Sequence, residues 1–407
     1  MLYSQGRAFG SVKFPDMRVW VGDFDLNRQQ PVFGVHSYAG ARVLVRRGPA
    51  PLGWVWLPNS SGGDAFAERA VVAAAKSQLA CLDAPSLTDP PQWPHISVVV
   101  CTRDRPLALR RCLESLQLLD YPQSRHEVIV IDNASRETST RDLAIEAGFR
   151  CVREEKPGLD NARNCGAASA SYEIVAYTDD DVRVDSGWLK GIARGFAYGD
   201  SVCVTGLICP LELETRAQLL FEQYGGMGKG MQPKLTVPEK LHVSAILAAH
   251  NVGVGANMAY LRNAVMEMGG FDPDLDVGTP SGGAGDLDMF HRLLATGHSV
   301  RYEPSALVWH QHRRSMPGLH MQIYNNGRSF GCYLLKAAAR RTAARSDVFH
   351  FALRNWIGSW LLGSLFSRRP GRNFSIVAAE IWGAMHAPWA FLTTFHKLPW
   401  SRWSGQR

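Results

Sequence analysis

The sequence predicts an α/β fold: a mostly parallel sheet flanked by helices, with a small β-containing domain before it and an amphipathic helical region after it. Three observations predict this. From His95 onward, short apolar runs alternate with stretches of helical period, the pattern of successive βα units. The runs end in polar or acidic residues, as strands do at the carboxyl edge of a parallel sheet, where ligands bind. The composition also shifts twice, at four prolines between Asp83 and Pro94 and at a basic stretch beginning near Lys336.

In chain order, Ala41 to Arg46 and Gly53 to Leu57 flank the turn Arg47-Gly48-Pro49-Ala50-Pro51 and read as a hairpin, followed by a helical stretch from Ala65 to Leu82. No chemistry is visible there. Residues 1–82 are expected to form an accessory domain and 83–94 a linker. Ile96 to Cys101 is the first strand of the main sheet, and Pro106 to Leu118 a helix with proline in its first turn. Val128 to Ile131 is the next strand, Thr138 to Ala147 a helix, and Phe149 to Val152 a short strand. Asn161 to Ala170 is helical, Ile174 to Tyr177 is a strand, and Ala306 to Trp309 a later one. The main domain is expected over 95–335 and the tail over 336–407.

With 407 residues, 46% of them hydrophobic, the chain has room for about two or three domains. No leader segment is visible and no apolar run approaches the roughly 18 residues that span a bilayer, so a cytoplasmic protein is expected. Eight scattered cysteines without a CxxC pair read as reduced core residues and not as a zinc site. The net charge of +7 is uneven: Lys336 to Arg407 holds eleven Lys or Arg against Asp347 and Glu380, leaving the body slightly acidic. An anionic surface is therefore a candidate partner of the tail, and nucleic acid is not expected as a partner. Leu353, Trp356, Ile357, Trp360 and Leu361 recur at helical spacing, and Ile376 to Leu392 carries Trp382, Met385 and Trp389. With Arg368, Arg369, Arg372, Lys397, Arg402 and Arg407 they fit a helix pair that lies either on its own domain or on the inner face of an anionic membrane.

The chemistry concentrates at strand ends. Tyr177-Thr178-Asp179-Asp180-Asp181-Val182 places three carboxylates after an apolar run, where they repel one another unless a cation or donor neutralises them. A solvated turn that caps the next helix is the alternative. Thr102-Arg103-Asp104-Arg105 ends the first strand. Asp132-Asn133 ends the second and also suits an Asx turn. In the segment from Gly158 to Asn164, Asp160 reads as a helix N-cap. Arg163 is a cation one turn into that helix, opposing its dipole, and so wants an anion nearby. Neither GxGxxG nor GxxxxGK[ST] occurs, which argues against dinucleotide-binding and P-loop proteins.

The segments Val98 to Arg105, Val128 to Asn133, Gly158 to Gly166, Thr178 to Val182 and Gly269-Gly270-Phe271-Asp272, in that order, resemble the family 2 glycosyltransferases over about residues 95–315. The resemblance implies a GT-A type, Rossmann-like fold. It also implies non-processive, inverting transfer of a sugar from a nucleotide-diphosphate-sugar donor to a hydroxyl of a glycan, lipid-linked or small-molecule acceptor. By position, Thr102, Arg103 and Asp132 would hold base and ribose, and Arg163 would face the diphosphate. Asp179 and Asp181 would be the DxD pair that touches ribose and a divalent cation, Mn²⁺ or Mg²⁺, with Asp180 between them in the cofactor-binding set. His310, ahead of His312, would complete the metal site, and Asn257 would touch sugar or acceptor. Asp286, after the glycine-rich run from Gly278, is the candidate base. Where many relatives read Glu-Asp this chain reads Gly285-Asp286, and Asp288, about 200° around the helix, is the second candidate. A nucleotidyltransferase would need a glycine-rich basic loop after the first strand, which is absent. A non-catalytic sugar-nucleotide-binding scaffold has only Gly285 to motivate it.

Overall fold

The computed structural model describes residues 18–366 and 373–395, apart from 29, 60–62, 84 and 86. Arg368, Arg369, Arg372, Lys397, Arg402 and Arg407 lie outside the described residues. The amino-terminal unit comprises β1 (Val19–Asp25), β2 (Val32–Phe33), β3 (Gly40–Arg47), β4 (Ala50–Pro58), β5 (Ala65–Phe66) and α1 (Glu68–Gln78). The hairpin forms between β3 and β4, and β1 adds to β3 in parallel. The expected helix is shorter than its apolar pattern because Ala65 and Phe66 pair with Phe33 and Val32 as strand.

The main sheet then follows the alternation: β6 (Ile96–Thr102), α2 (Pro106–Leu116), β7 (His126–Asn133), α3 (Ser139–Glu146), β8 (Arg150–Glu154), α4 (Leu159–Ser169) and β9 (Ile174–Asp179). β8, β7, β6 and β9 lie side by side, all parallel. β6 shows why: Ile96, Val98 and Val100 enter the core on one face, and Val99 and Cys101 the core on the other. A strand buried on both faces needs helices above and below it, and the βα repeat supplies them.

β10 (Val182–Val184), α5 (Trp188–Ala197), β11 (Cys203–Pro210), α6 (Arg216–Tyr224), β12 (Lys234–Thr236), α7 (Val243–Leu247), β13 (Asn257–Leu261), α8 (Arg262–Glu267), α9 (Gly285–Ala295) and β14 (Val300–His310) complete the domain. The strand order is β10-β14-β11-β13-β9-β6-β7-β8, with β12 also on β14. β13 is antiparallel to both its neighbours, and β10 is antiparallel to β14. Register brings the site together. Thr102 lies opposite Asp132, Cys101 opposite Asp179, and Val182 opposite His310.

The amino-terminal sheet is seated on this domain. Leu44 and Trp54 share an apolar cluster with Leu207, Tyr302, Leu307 and Trp309, and Arg46 pairs with Asp185 at 2.8 Å. The carboxyl-terminal region holds α10 (Met316–Arg340), α11 (Arg345–His350), a π-helix (Phe351–Leu362), α12 (Gly363–Phe366) and α13 (Phe374–Phe395). The π-helix corrects the expected α-helical stripe over 353–361. Within it Leu361 is buried, Leu353 is exposed, and Trp360 Nε1 donates to Glu380 at 2.9 Å. α13 folds back along α10 and buries Ile376, Val377, Ala387 and Ala390, while Trp382, Met385 and Trp389 stay 56%, 66% and 61% exposed. All eight cysteines are free thiols. Among the described residues no helix is long and apolar enough to cross a membrane.

Candidate active site

Asp179 sits at the tip of β9, and the antiparallel register of β10 with β14 sets Asp181 against His310. Asp181 Oδ1 lies 3.3 Å from His310 Nε2. Ligand atoms of Asp179, Asp181 and His310 lie within 4.8 Å of one another, the one such grouping among the described residues. The Asp179 carboxylate makes no ion pair or hydrogen bond among those residues, and burial pushes its proton affinity up, with Arg163 opposing and Asp181 adding to the rise. Burial acts the same way on Asp181, but His310 and Arg105 outweigh it and hold that carboxyl well below the usual range. Two convergent carboxylates and an imidazole, one carboxylate left unpaired, fit a divalent cation that takes oxygen and nitrogen ligands.

Asp180 does a different job. Thr102 Oγ1 donates to its Oδ2 at 2.7 Å and Arg105 Nη1 to its Oδ1 at 2.5 Å, while Arg105 Nη2 reaches Asp181 at 2.8 Å. Burial, with the other aspartates, pushes Asp180 up to about 7 despite Arg105. It braces the strand ends and does not face the crevice as a ligand. Arg103, expected in the nucleotide site, follows β6 with its side chain exposed and Asp104 its ion-pair partner at 4.0 Å. Asp104 takes a left-handed conformation (φ 53), and the chain reverses there so that Arg105 and not Arg103 reaches the aspartates.

Asp132 ends β7 in the Asx-type turn, accepting from Ser135 N at 3.1 Å, and its other oxygen pairs with Arg153 Nη1 at 2.7 Å. Asn257 is the clearest correction. It is 1% exposed, accepts from Trp188 Nε1 at 2.9 Å, and donates to Leu207 O and Ala306 O at 3.0 and 2.8 Å. Those carbonyls flank the register shift between β11 and β14, so Asn257 mends a sheet irregularity from a buried position.

The other end of the crevice is built on α4 and α9. Gly158, not Asp160, is the N-cap of α4, and the first-turn N–H groups of Leu159 and Asp160, which have no partner within the helix, donate to Asp276 at 2.8 and 2.9 Å. Asp160 turns inward, and its Oδ1 accepts from Arg163 Nη1 at 2.9 Å. The anion that Arg163 needs is thus already in the protein. Burial pushes Asp160 well above the usual carboxyl range, with Arg163 opposing. Asp286 is the second residue of α9; its Oδ2 accepts from Gly255 N at 2.7 Å and its Oδ1 from Leu287 N at 2.9 Å. The missing glutamate has a spatial reason: a Cβ at Gly285 would lie 1.7 Å from Asp160 Oδ2. Asp160 fills the volume that a side chain at 285 would need. Asp288 is buried against Arg292 Nε at 2.7 Å and Arg340 Nη1 at 3.1 Å, a brace between α9 and α10 and no candidate for a base.

Sequence reasoning missed Arg153, Asp276 and Lys229. The first two carry only the weak signal of a charged residue near a strand end. Lys229 lies in the glycine-rich segment from Gly225 to Gly230; burial pulls it down to about 8, with Asp286 opposing. His312 does not join His310 at the cluster but turns inward to Glu222, with Nε2 2.9 Å from Oε1.

Parallel strand ends bearing acidic and cationic groups, an antiparallel strand beyond them and a histidine-tipped last strand define a GT-A type fold. Residues 97–269 match the model of Glycosyl transferase family 2. The pre-mycofactocin glycosyltransferase of Mycobacterium tuberculosis is 29% identical over 236 residues, 56% of this chain but only 45% of that protein's length. Glycosyltransferase AglE of Haloferax volcanii is 23% identical over 228 residues, 54% of this chain and 68% of that protein. Among solved structures, a mannosyltransferase from Pyrobaculum calidifontis in complex with GDP-Man and Mn²⁺ matches with a TM-score of 0.51 at 18% identity, covering 76% of this chain and 91% of that one; the likeness is one of fold.

Proposed function

We propose that the protein transfers a sugar from a nucleotide-diphosphate-sugar donor to a hydroxyl acceptor with inversion, using a divalent cation. The observation that carries this reading is the convergence of Asp179, Asp181 and His310 at the carboxyl edge of the sheet, in a chain whose residues 97–269 match the model of Glycosyl transferase family 2. Those three residues would hold Mn²⁺ or Mg²⁺, which when bound offsets negative charge on the leaving diphosphate. Asp286 is the base. Two backbone N–H groups hold its carboxylate in place while leaving each oxygen a free lone pair. As the acceptor oxygen bonds to the anomeric carbon, Asp286 takes the hydroxyl proton, and the bond to the diphosphate breaks on the opposite face. Asp286→Asn is expected to keep Mn²⁺-dependent donor binding and to lower turnover by about 10²- to 10⁴-fold. Unchanged turnover would remove Asp286 from the mechanism.

We also infer a cytoplasmic protein held peripherally on an anionic membrane through α13. Trp382, Met385 and Trp389, joined by exposed Leu392, line one side of that helix, in a tail whose sequence is strongly basic. Flotation with vesicles should recover the protein on anionic and not on neutral lipid, and Trp382→Ala with Trp389→Ala should abolish the recovery. Equal recovery on both vesicle types would contradict it.

A further inference from the structure

We propose that the amino-terminal sheet is part of the metal site: Arg42, through Glu222 and His312, sets the proton on His310 so that its Nε2 lone pair faces Asp179 and Asp181. The inference rests on reading that trio as a cation site. Four buried side chains from four elements or loops form one line. Arg42 Nη1, on β3, donates to Glu222 Oε2 on α6 at 2.7 Å. Glu222 Oε1 lies 2.9 Å from His312 Nε2, His312 Nδ1 lies 3.1 Å from His310 Nδ1, and His310 Nε2 lies 3.3 Å from Asp181 Oδ1. Arg42 is held from its other side by the ring of Trp54, 4.3 Å away, and His312 by the edge of Phe221 at 4.7 Å.

The proton positions follow from the demands of each partner. A cation bound at Asp179 and Asp181 requires a lone pair on His310 Nε2, which places the His310 proton on Nδ1. Two Nδ1 atoms at 3.1 Å share one proton, so His312 Nδ1 must accept. His312 then carries its own proton on Nε2 and needs an acceptor-only group there. Ionised Glu222 is such a group, and Arg42 is the cation that keeps it ionised in the interior. Reversing either bond made by His312 would put an N–H on His310 Nε2, pointing into the metal site. A merely structural ion pair between Arg42 and Glu222 would need no second and third link ending on a metal ligand. Arg42, Glu222 and His312 are thus positioning residues, and the sheet that carries Arg42 is tied to the chemistry although it lies outside the region that matches the family.

The test is the Mn²⁺ dissociation constant of the full chain, read by electron paramagnetic resonance of free Mn²⁺ without donor, with a thermal melt of each variant to establish folding. His312→Phe is expected to weaken Mn²⁺ binding about 10- to 100-fold. His312→Asn, whose Oδ1 can accept in place of Nδ1, should restore most of the affinity. If His312→Phe does not fold, Arg42→Met with Glu222→Leu removes both buried charges together and should weaken Mn²⁺ in the same way. A folded His312→Phe, or that double variant, with wild-type Mn²⁺ affinity overturns the proposal. Asp181→Asn separates the two levels: if it leaves Mn²⁺ binding unchanged, the cation site itself is wrong. If it abolishes binding while the relay variants do not, only the relay is wrong.

Discussion

The two ends of the crevice treat negative charge in opposite ways. At the α4–α9 end each carboxylate has a partner inside the protein: Asp276 takes the N–H groups of Leu159 and Asp160, Asp160 takes Arg163 on one oxygen while its other oxygen is buried with no hydrogen bond among the described residues, and Asp286 takes the N–H groups of Gly255 and Leu287. At the β9–β14 end Asp179 has none among the described residues, and it faces Asp181 and His310 across a gap of ligand dimensions. Fixed dipoles hold a base ready without consuming its basicity. A half-buried carboxylate without a partner, by contrast, is open to completion by something from solution. One end pairs its charges largely by folding, and the other leaves Asp179 open to a ligand.

The largest effect that would break this contrast comes from the open end. Asp181→Asn should lower sugar transfer by roughly three orders of magnitude and remove the response to Mn²⁺, because it deletes a ligand and its charge together. Full activity in that variant would mean that the gap is not a cation site.

The closed end is probed through its packing. Gly285→Ala should destabilise the fold by about 1–3 kcal/mol, since the new methyl meets the buried carboxylate of Asp160. Adding Asp160→Ala should recover part of the loss in a denaturant titration. A neutral Gly285→Ala would show that the α4–α9 end has room to spare.

A finer test uses acid. Burial raises the Glu222 carboxyl, but the His312 hydrogen bond and Arg42 outweigh it and bring it to about 2, against an ordinary 4.5. A carboxyl held below its unfolded value stabilises the fold above about pH 4.5, and that contribution fades as pH falls toward 2. It is on the order of 3 kcal/mol at neutral pH. Glu222→Gln should flatten the slope of stability against pH over this window; an unchanged slope would mean that the pair is not held in this way.

How much of this was legible depended on how local each signal is. The strand ends were readable because Thr102, Asp132 and Asp179 each follow an apolar run, and parallel register alone aligns them. His310 was readable for the same reason. Asn257 was misread, since periodicity marks which face a residue takes but not that a register shift elsewhere leaves carbonyls for it to satisfy. Gly285 looked like a defect until Asp160, from another helix, was found in its space. Arg42 and Glu222 stand 180 residues apart and meet only through the docking of the amino-terminal sheet beside α6, which no local pattern encodes. The π-helix likewise hid under apolar spacing that suits an α-helix.

The central claim, a cation-dependent sugar-nucleotide site at Asp179, Asp181 and His310, is tested most directly by thermal shift of the full chain against a panel of nucleotide-diphosphate sugars. Ligands that bind the native state raise its melting temperature. The account predicts that at least one donor raises Tm with Mn²⁺, that chelation removes the rise, and that Asp181→Asn shows none. A donor-induced rise that persists in chelator and in Asp181→Asn, or no rise with any donor, would contradict it.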